Sequence, residues 1–298
     1  MVDQRGVALL IVLVVVALGS VIAVALMERS QHALARTQAL SDRHQVMQLS
    51  AGMALITRRL LEERLAQSDG VMMPETLAAW TPAQDIPGGT IQGRLRVLGG
   101  RFNLNALTHP EPARREQAWA VFDRLLTHLQ ISPRVGQDLR QWLGQTADSG
   151  ARPSGTQRAP LVHVSELREV PGVDQATFNR LGQHVAVWPS PELSLNVNAA
   201  QPEVLAAFVE GLDVGQARRV LARRPFRRAQ DLWAQQPLVS AAVSDEQANR
   251  LTLQSGVFLA QARVRFERDG AVQVHDVFRL IQVSGSGYDF RYVSQGVP

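Results

Sequence analysis

The sequence predicts an α+β protein, in which a long N-terminal helix packs on a small antiparallel sheet and a large all-helical domain is inserted after the first strand. Three observations predict it. Residues 7–27 carry no charged side chain, and helical patterning continues beyond them. Strand-like alternation occurs over residues 90–97 and does not return until residue 262. The stretch between is helical in period. A strand left without a partner is unstable, so the economical topology pairs the early strand with the late ones and makes the helices an insertion.

At the N-terminus a polar leader, residues 1–6, meets the uncharged run 7–27 at Gly6-Val7. A run of about 20 such residues spans the hydrocarbon core as a helix, because a helix satisfies its own backbone polar groups in lipid. Two processing routes fit. A peptidase cuts after Gly6 and leaves the run as an anchor, or an ordinary secretory signal is cut after Ala23, Val24 and Ala25. The first is favoured. The run is longer than a usual signal core, and Arg5 is offset by Asp3. Neither proline nor glycine interrupts residues 20–51, and Leu49, Met53, Ile56 and Leu60 share one helical face. The helix therefore continues outside the membrane over 28–66.

Residues 67–103 are the first part of the β domain. Pro74, Pro82, Pro87, Gly88 and Gly89 make 68–89 a loop. Ile91, Leu95 and Val97 then alternate with Gln92, Arg94 and Arg96, as a half-buried strand requires. Residues 104–256 form the helical insertion. Ala118, Val121, Phe122, Leu125 and Leu129 recur at helical spacing, as do Val135, Leu139, Trp142 and Leu143. Ser165 stands as a cap before Leu167, and Pro171-Gly172 turns the chain into a helix starting near Asp174. Residues 257–298 complete the β domain. There Ala262, Val264 and Phe266 alternate with Arg263, Arg265 and Glu267, and Asp269-Gly270 is a hairpin signal. A partner strand runs from Ala271 to about Ile281, and a final one places Tyr288, Phe290 and Tyr292 on one face.

Composition excludes several function classes. There is no cysteine, so disulfide and thiolate chemistry are absent. The pI near 10.7 overstates the charge. The basic residues are all arginine and the net charge is only +4, so little titrates between histidine and arginine. The electrostatic case for nucleic acid is correspondingly weak. Gly-x-Ser-x-Gly, His-Glu-x-x-His and phosphate-loop motifs are missing, Ser284-Gly285-Ser286-Gly287 is a turn, and the seven histidines are scattered. The chain is not read as an enzyme.

Two segments of the helical stretch resemble helix-hairpin-helix modules. One runs Val164-Ser165-Glu166-Leu167-Arg168-Glu169-Val170-Pro171-Gly172-Val173, with Phe178 and Leu181 beyond it; the other is Leu195-Asn196-Val197-Asn198-Ala199-Ala200, followed by Pro202, Glu203, Val204 and Leu205. In DNA-binding members, free hairpin amides hold a phosphate. The alternative function is thus a membrane-anchored DNA receptor. Against it, Gly211-Leu212-Asp213-Val214-Gly215 lacks a Gly-x-Gly core and puts Asp213 where a phosphate would approach. Arg218, Arg219, Arg223, Arg224, Arg227 and Arg228 have no interleaved aromatics for base stacking, and read as a solvated face.

Across nearly its full length the chain resembles the K-type minor pseudopilin family of the bacterial type II secretion system. The residues that carry the resemblance are Arg5-Gly6 before Val7-Ala8-Leu9-Leu10, Gly100-Arg101-Phe102-Asn103-Leu104-Asn105-Ala106-Leu107, and the two segments above. The resemblance implies a type IV pilin-like fold with a prepilin leader, cleavage by prepilin peptidase between Gly6 and Val7, and N-methylation of Val7. It implies a structural subunit that caps the pseudopilus tip and nucleates its assembly for protein export across the outer membrane. Implied partners are the I-, J- and H-type minor pseudopilins, the major pseudopilin, the inner-membrane assembly platform and prepilin peptidase, with no nucleic acid. The implied location is the inner membrane, single-pass, with the C-terminal body in the periplasm. Where most pilins carry a glutamate, this chain has Ile11, a departure K-type subunits share and one suited to a tip. Some K-type proteins bind calcium through a carboxylate-rich stretch after a tryptophan. Here that dense pattern is missing after Trp142, and the acids left as calcium candidates are Asp138, Asp148 and Glu166.

Overall fold

The computed structural model describes residues 27–30, 36, 61, 74–145, 160–268, 271–284 and 287–295. The chain divides into two compact units, Met1–Met53 and Ala54–Pro298. In the first, residues 27–30 and 36 are helical and exposed. Gly6, Val7 and Ile11 lie outside the described residues. Among the described residues no helix is long and apolar enough to cross a membrane.

The second unit mixes helices with a small antiparallel sheet. Residues 68–89, expected to be a loop, hold a short helix, α1 (Pro74–Ala78), and a strand, β1 (Gln84–Ile86). Proline is tolerated at a helix start, because a first-turn N–H has no intrahelical acceptor to lose. Pro87-Gly88 closes the turn from β1 into β2 (Gly89–Val97), with Gly88 at φ 82°. Proline then glycine at the two central positions is turn chemistry that joins adjacent strands as readily as it opens a loop.

The stretch after β2 is built twice. The first repeat comprises β3 (Phe102–Asn103), a 3-10 turn (Leu104–Thr108), α2 (Pro112–His128), α3 (Pro133–Gln145), a second 3-10 turn (Val164–Glu169), α4 (Gln175–Leu181) and β4 (Val185–Ala186). The second comprises β5 (Leu195–Asn196), a 3-10 turn (Val197–Ala199), α5 (Pro202–Phe208), α6 (Val214–Leu221), α7 (Ala229–Trp233), α8 (Gln236–Ser240), α9 (Asp245–Asn249) and β6 (Leu251–Thr252). β3 pairs in parallel with β4, and β5 with β6. These short bridges correct the all-helical expectation, and the reason is a buried asparagine in each repeat.

Each repeat opens on an apolar-Asn-apolar-Asn-Ala stretch, residues 102–106 and 195–199. The first asparagine caps the 3-10 turn: Asn103 Oδ1 accepts from the Asn105 amide at 3.2 Å, and Asn196 Oδ1 from the Asn198 amide at 3.0 Å. The second is a latch. Asn105 Nδ2 donates to the Leu161 and Trp188 carbonyls at 3.0 and 2.8 Å, while its Oδ1 accepts from the Leu161 amide at 2.7 Å. Asn198 repeats the pattern, donating to the Phe226 and Leu253 carbonyls at 2.8 and 2.9 Å and accepting from the Phe226 amide at 2.8 Å. Buried backbone groups demand partners, and each latch pins the far end of its repeat beside the start, where the two strands then pair.

The repeats share one apolar core. Helix α2 buries Ala118, Val121, Phe122 and Leu125, and α3 buries Val135, Leu139 and Leu143, as the spacing predicts. Phe102 stacks between Phe122 of its own repeat and Phe208 of the other, with ring centroids 5.4 and 6.2 Å apart. Burying each such ring stabilises by about 2–3 kcal/mol.

After the second repeat come β7 (Val257–Arg268), β8 (Ala271–Ser284) and β9 (Gly287–Gln295). The sheet order is β1-β2-β7-β8-β9, and every neighbouring pair is antiparallel. The predicted pairing of the early strand with the late ones is thus present: Val97 faces Phe258, and the Leu98 amide donates to the Val257 carbonyl at 3.0 Å. One face of the sheet packs Leu95, Val97, Phe258, Ala260 and Ile281 against helical Leu61 and Leu77 of α1. On the other, Leu98, Leu259, Phe278 and Leu280 pack against Ala186 and Trp188 of the first repeat. The predicted turn residues 269–270 lie outside the described residues, although the strands they join are paired.

Candidate functional site

In a DNA-binding helix-hairpin-helix module the phosphate would sit on the hairpin amides at a helix start. Helix α6 begins at Asp213, whose Oδ1 accepts from the Gln216 amide at 2.7 Å while Gln216 Oε1 accepts from the Asp213 amide at 2.8 Å. This capping box occupies the amide a phosphate would need and sets a carboxylate in its path. At the Pro171-Gly172 turn Asp174 does the same for α4, its Oδ1 accepting from the Thr177 amide at 2.7 Å. That hydrogen bond holds the Asp174 carboxyl below its ordinary value, so it stays charged. Both helix starts repel anions. The 3-10 turn ahead of the Pro-Gly turn is capped by His163, whose Nδ1 accepts from the Ser165 amide at 3.1 Å. The expected cap, Ser165, is the residue being capped, because an imidazole nitrogen serves as acceptor as well as a hydroxyl does.

Arginines 218, 219, 223, 227 and 228 are exposed, in keeping with a solvated face. Arg224 departs from that pattern. Its guanidinium donates to the Leu221, Asn198 and Ala200 carbonyls at 3.0, 3.1 and 3.2 Å, bracing the second repeat.

Of the calcium candidates, Asp148 lies outside the described residues. Asp138 lies 3.7 Å from Arg134 and against the Gly172 turn. Glu166 Oε1 already accepts from the Val162 and His163 amides at 2.7 and 2.9 Å. Among the described residues no cluster of three or more histidines and acids is arranged to hold a metal. His184, beside the first hairpin, is buried, with Nδ1 2.9 Å from the Arg180 carbonyl.

Sequence spacing did not reveal a cleft of about 560 Å³ between the sheet and the first repeat. Leu259, Phe278 and Leu280 form its floor, Val185 and Val187 one wall, and Arg96, Arg101 and Arg168 reach it from three separate elements. The alternation of β2 puts Arg96 on a face that reads as solvent-facing, but the first repeat folds back over that face. Gly100, between Leu98 and Arg101, permits a close approach of the second repeat: a Cβ there would lie 2.0 Å from the Ala199 carbonyl oxygen.

Comparison with known proteins places these features in context. Residues 100–190 and residues 195–254 each match a domain of the family described as "Type II secretion system (T2SS), protein K". These two matches divide the chain between the repeats. A type II secretion system protein K from Pseudomonas aeruginosa is 30% identical over 246 residues, covering 74% of this chain and 72% of the relative. One from Dickeya chrysanthemi is 28% identical over an alignment 326 positions long, gaps included, covering 89% of this chain and 90% of the relative. Among solved structures, a chain of the GspK-GspI-GspJ complex from the type 2 secretion system of enterotoxigenic Escherichia coli has a TM-score of 0.69 at 20% identity. It is matched over 88% of this chain and 100% of its own length.

Proposed function

This chain belongs to the type II secretion system protein K family of minor pseudopilins, and we propose that it caps the tip of a pseudopilus and nucleates its assembly. The carrying observation is topological. β2 and β7 are direct neighbours, so the two repeats leave the sheet and return to it one hydrogen bond apart, at Leu98 and Val257. In this proposal the sheet and the N-terminal helix form a pilin-like body, with residues 104–256 inserted at one end. An insertion there would obstruct a subunit stacked above and leave the opposite end free to sit on the filament. The proposed boundaries are a leader at 1–6, a membrane segment at 7–27, its periplasmic continuation at 28–66, and a β domain divided between 67–103 and 257–298.

On this proposal prepilin peptidase cuts between Gly6 and Val7, the new Val7 amine is methylated, and the helix anchors the chain in the inner membrane with its body in the periplasm. Ile11 fits a tip, because a subunit without a carboxylate there cannot neutralise a neighbour's terminal amine within lipid. The partners would be the I- and J-type subunits, which accompany the structural relative in its complex, together with H-type and major pseudopilins.

Two measurements test this. Mass spectrometry of the mature N-terminus should find methylated Val7; a chain beginning at Leu26 would undo the assembly scheme. Deleting residues 104–256 should abolish capping, and unaltered secretion and tip-complex formation would remove the role given to the insertion.

A further inference from the structure

The cleft between the sheet and the first repeat has a chemistry that stacking and capping do not use. Among the described residues no aspartate or glutamate lines it, yet three arginines do. The Arg96 guanidinium, half-buried on the face it shares with Leu98, makes no hydrogen bond or ion pair among the described residues. Arg101 spends one nitrogen on the Gly182 carbonyl at 3.2 Å. Arg168 lies over the Phe178 ring, 4.2 Å from its centroid. Burial, with the Arg96 charge second, pushes Arg101 down to about 10. Arg96 is lowered too, by burial and then by Arg94. A charge partly removed from water without a counter-ion is destabilising, and what relieves it is an anion delivered into the same place.

Apart from His163, Ser165 and Asn179 the remaining lining is apolar, and Val162, 61% exposed, extends that apolar surface at the mouth. The occupant must therefore bring apolar groups and a negative charge together. Guanidinium forks match a carboxylate in two-point geometry. Nucleic acid fits poorly, since it needs open ring faces to stack on, whereas Phe278 is buried and Phe178 is covered by Arg168. The volume suits a few side chains, within the range of about 300–1,000 Å³ common for binding pockets.

We propose that this cleft docks an apolar, carboxylate-bearing peptide segment of a partner protein, with its apolar side chains against Leu259, Phe278 and Leu280 and its carboxylate between Arg96 and Arg101. The proposal needs only the sheet and the first repeat, so it stands or falls separately from tip capping.

The test places the photo-crosslinker p-benzoylphenylalanine at Val162 in the full chain, in cells assembling the whole secretion machinery, and maps the adduct by mass spectrometry. The expected adduct is a peptide in which an aspartate, a glutamate or a C-terminal carboxylate adjoins apolar residues. Arg96→Gln should lower its yield about tenfold, while Arg96→Lys, which keeps the charge, retains most of it. Should Arg96→Gln shift the thermal unfolding midpoint, Arg168→Gln, which removes another cleft-lining charge at an exposed position without disturbing the sheet, tests the same need for positive charge and should lower the yield by a smaller factor. An adduct with lipid, nucleic acid or a peptide lacking a carboxylate overturns the proposal. So does the absence of any adduct, or a yield indifferent to charge removal at both arginines.

Discussion

Asn105 and Asn198 hold equivalent places in the two repeats and make the same three hydrogen bonds, whereas Asn103 and Asn196, two residues earlier, do not match. Asn103 caps its turn, accepts from the Trp188 amide at 3.2 Å and donates to the Ser190 carbonyl. Asn196 only caps; its Nδ2 is buried without a partner among the described residues, as is the nearby Ser255 Oγ. The latch reaches its first partner 56 residues on in the first repeat and 28 on in the second, and its last partner 83 and 55 on. The repeats therefore differ in length only before the first partner, where α2 and α3 far exceed α5 and α6. The lesson is that the latch and its strand pair define the unit, while helix length is free to vary.

Removing a latch should have the largest effect. Asn105→Ala and Asn198→Ala each delete three buried hydrogen bonds and strand backbone groups without partners, at about 1 kcal/mol or more per bond, so about 3 kcal/mol each. Urea unfolding of the detergent-solubilised chain measures this. A large loss at one position with little at the other would show that only one repeat is held this way.

The unequal capping pair should separate next. Asn103→Ala loses the cap and the link to residues 188–190, about 2 kcal/mol, while Asn196→Ala loses only the cap, about 1 kcal/mol. Equal losses in the same unfolding experiment would mean that the extra bonds of Asn103 add nothing to stability.

The sheet and the long helices were legible in the sequence because their signals are side-chain periodicities. Ile91, Leu95 and Val97 announced β2, and Ala118 through Leu129 announced α2. The latch was not legible, although both Asn-x-Asn stretches stand in the segments that carry the family resemblance. Its partners at Leu161 and Phe226 take part through backbone atoms, and backbone leaves no trace in residue type. The cleft was illegible for another reason. Arg96, Arg101 and Arg168 lie on three elements, and their meeting depends on how the first repeat folds back on the sheet, a long-range event that local patterning does not record.

A third prediction concerns the hairpins joining α2 to α3 and α5 to α6. Each needs one residue at positive φ; the second repeat supplies Gly211 at 80°, the first Gln130 at 54°. A Cβ at Gly211 would meet nothing within 4 Å, so only backbone strain opposes a side chain there. Gly211→Gln should lose about 1 kcal/mol, and Gln130→Gly should gain about 0.5 kcal/mol. Opposite signs at the two sites are the outcome to look for in thermal unfolding; a loss at both would show that the Gln130 side chain contributes contacts of its own.

The smallest difference between the repeats is one of pH. His163 caps the 3-10 turn before Leu167; counting back equally from Leu232 gives Arg228, which caps α7 without a side-chain hydrogen bond. The His163 cap works only while Nδ1 is unprotonated, since a protonated nitrogen cannot accept from the Ser165 amide. Burial pushes this imidazole below its ordinary value of 6.5, with Glu166 pulling the other way. The folded state thus takes up its proton at lower pH than the unfolded chain does. The contribution to stability is complete above 6.5 and is lost as pH falls below 6.5 through the folded value. Hydrogen exchange on either side of that value should show residues 163–170 losing protection on acidification while residues 228–234 keep theirs. His163→Asn, which caps without titrating in this range, should remove the difference. If residues 228–234 loosened equally, the pH response would belong to the shared core, and the distinction drawn between the two caps would fail.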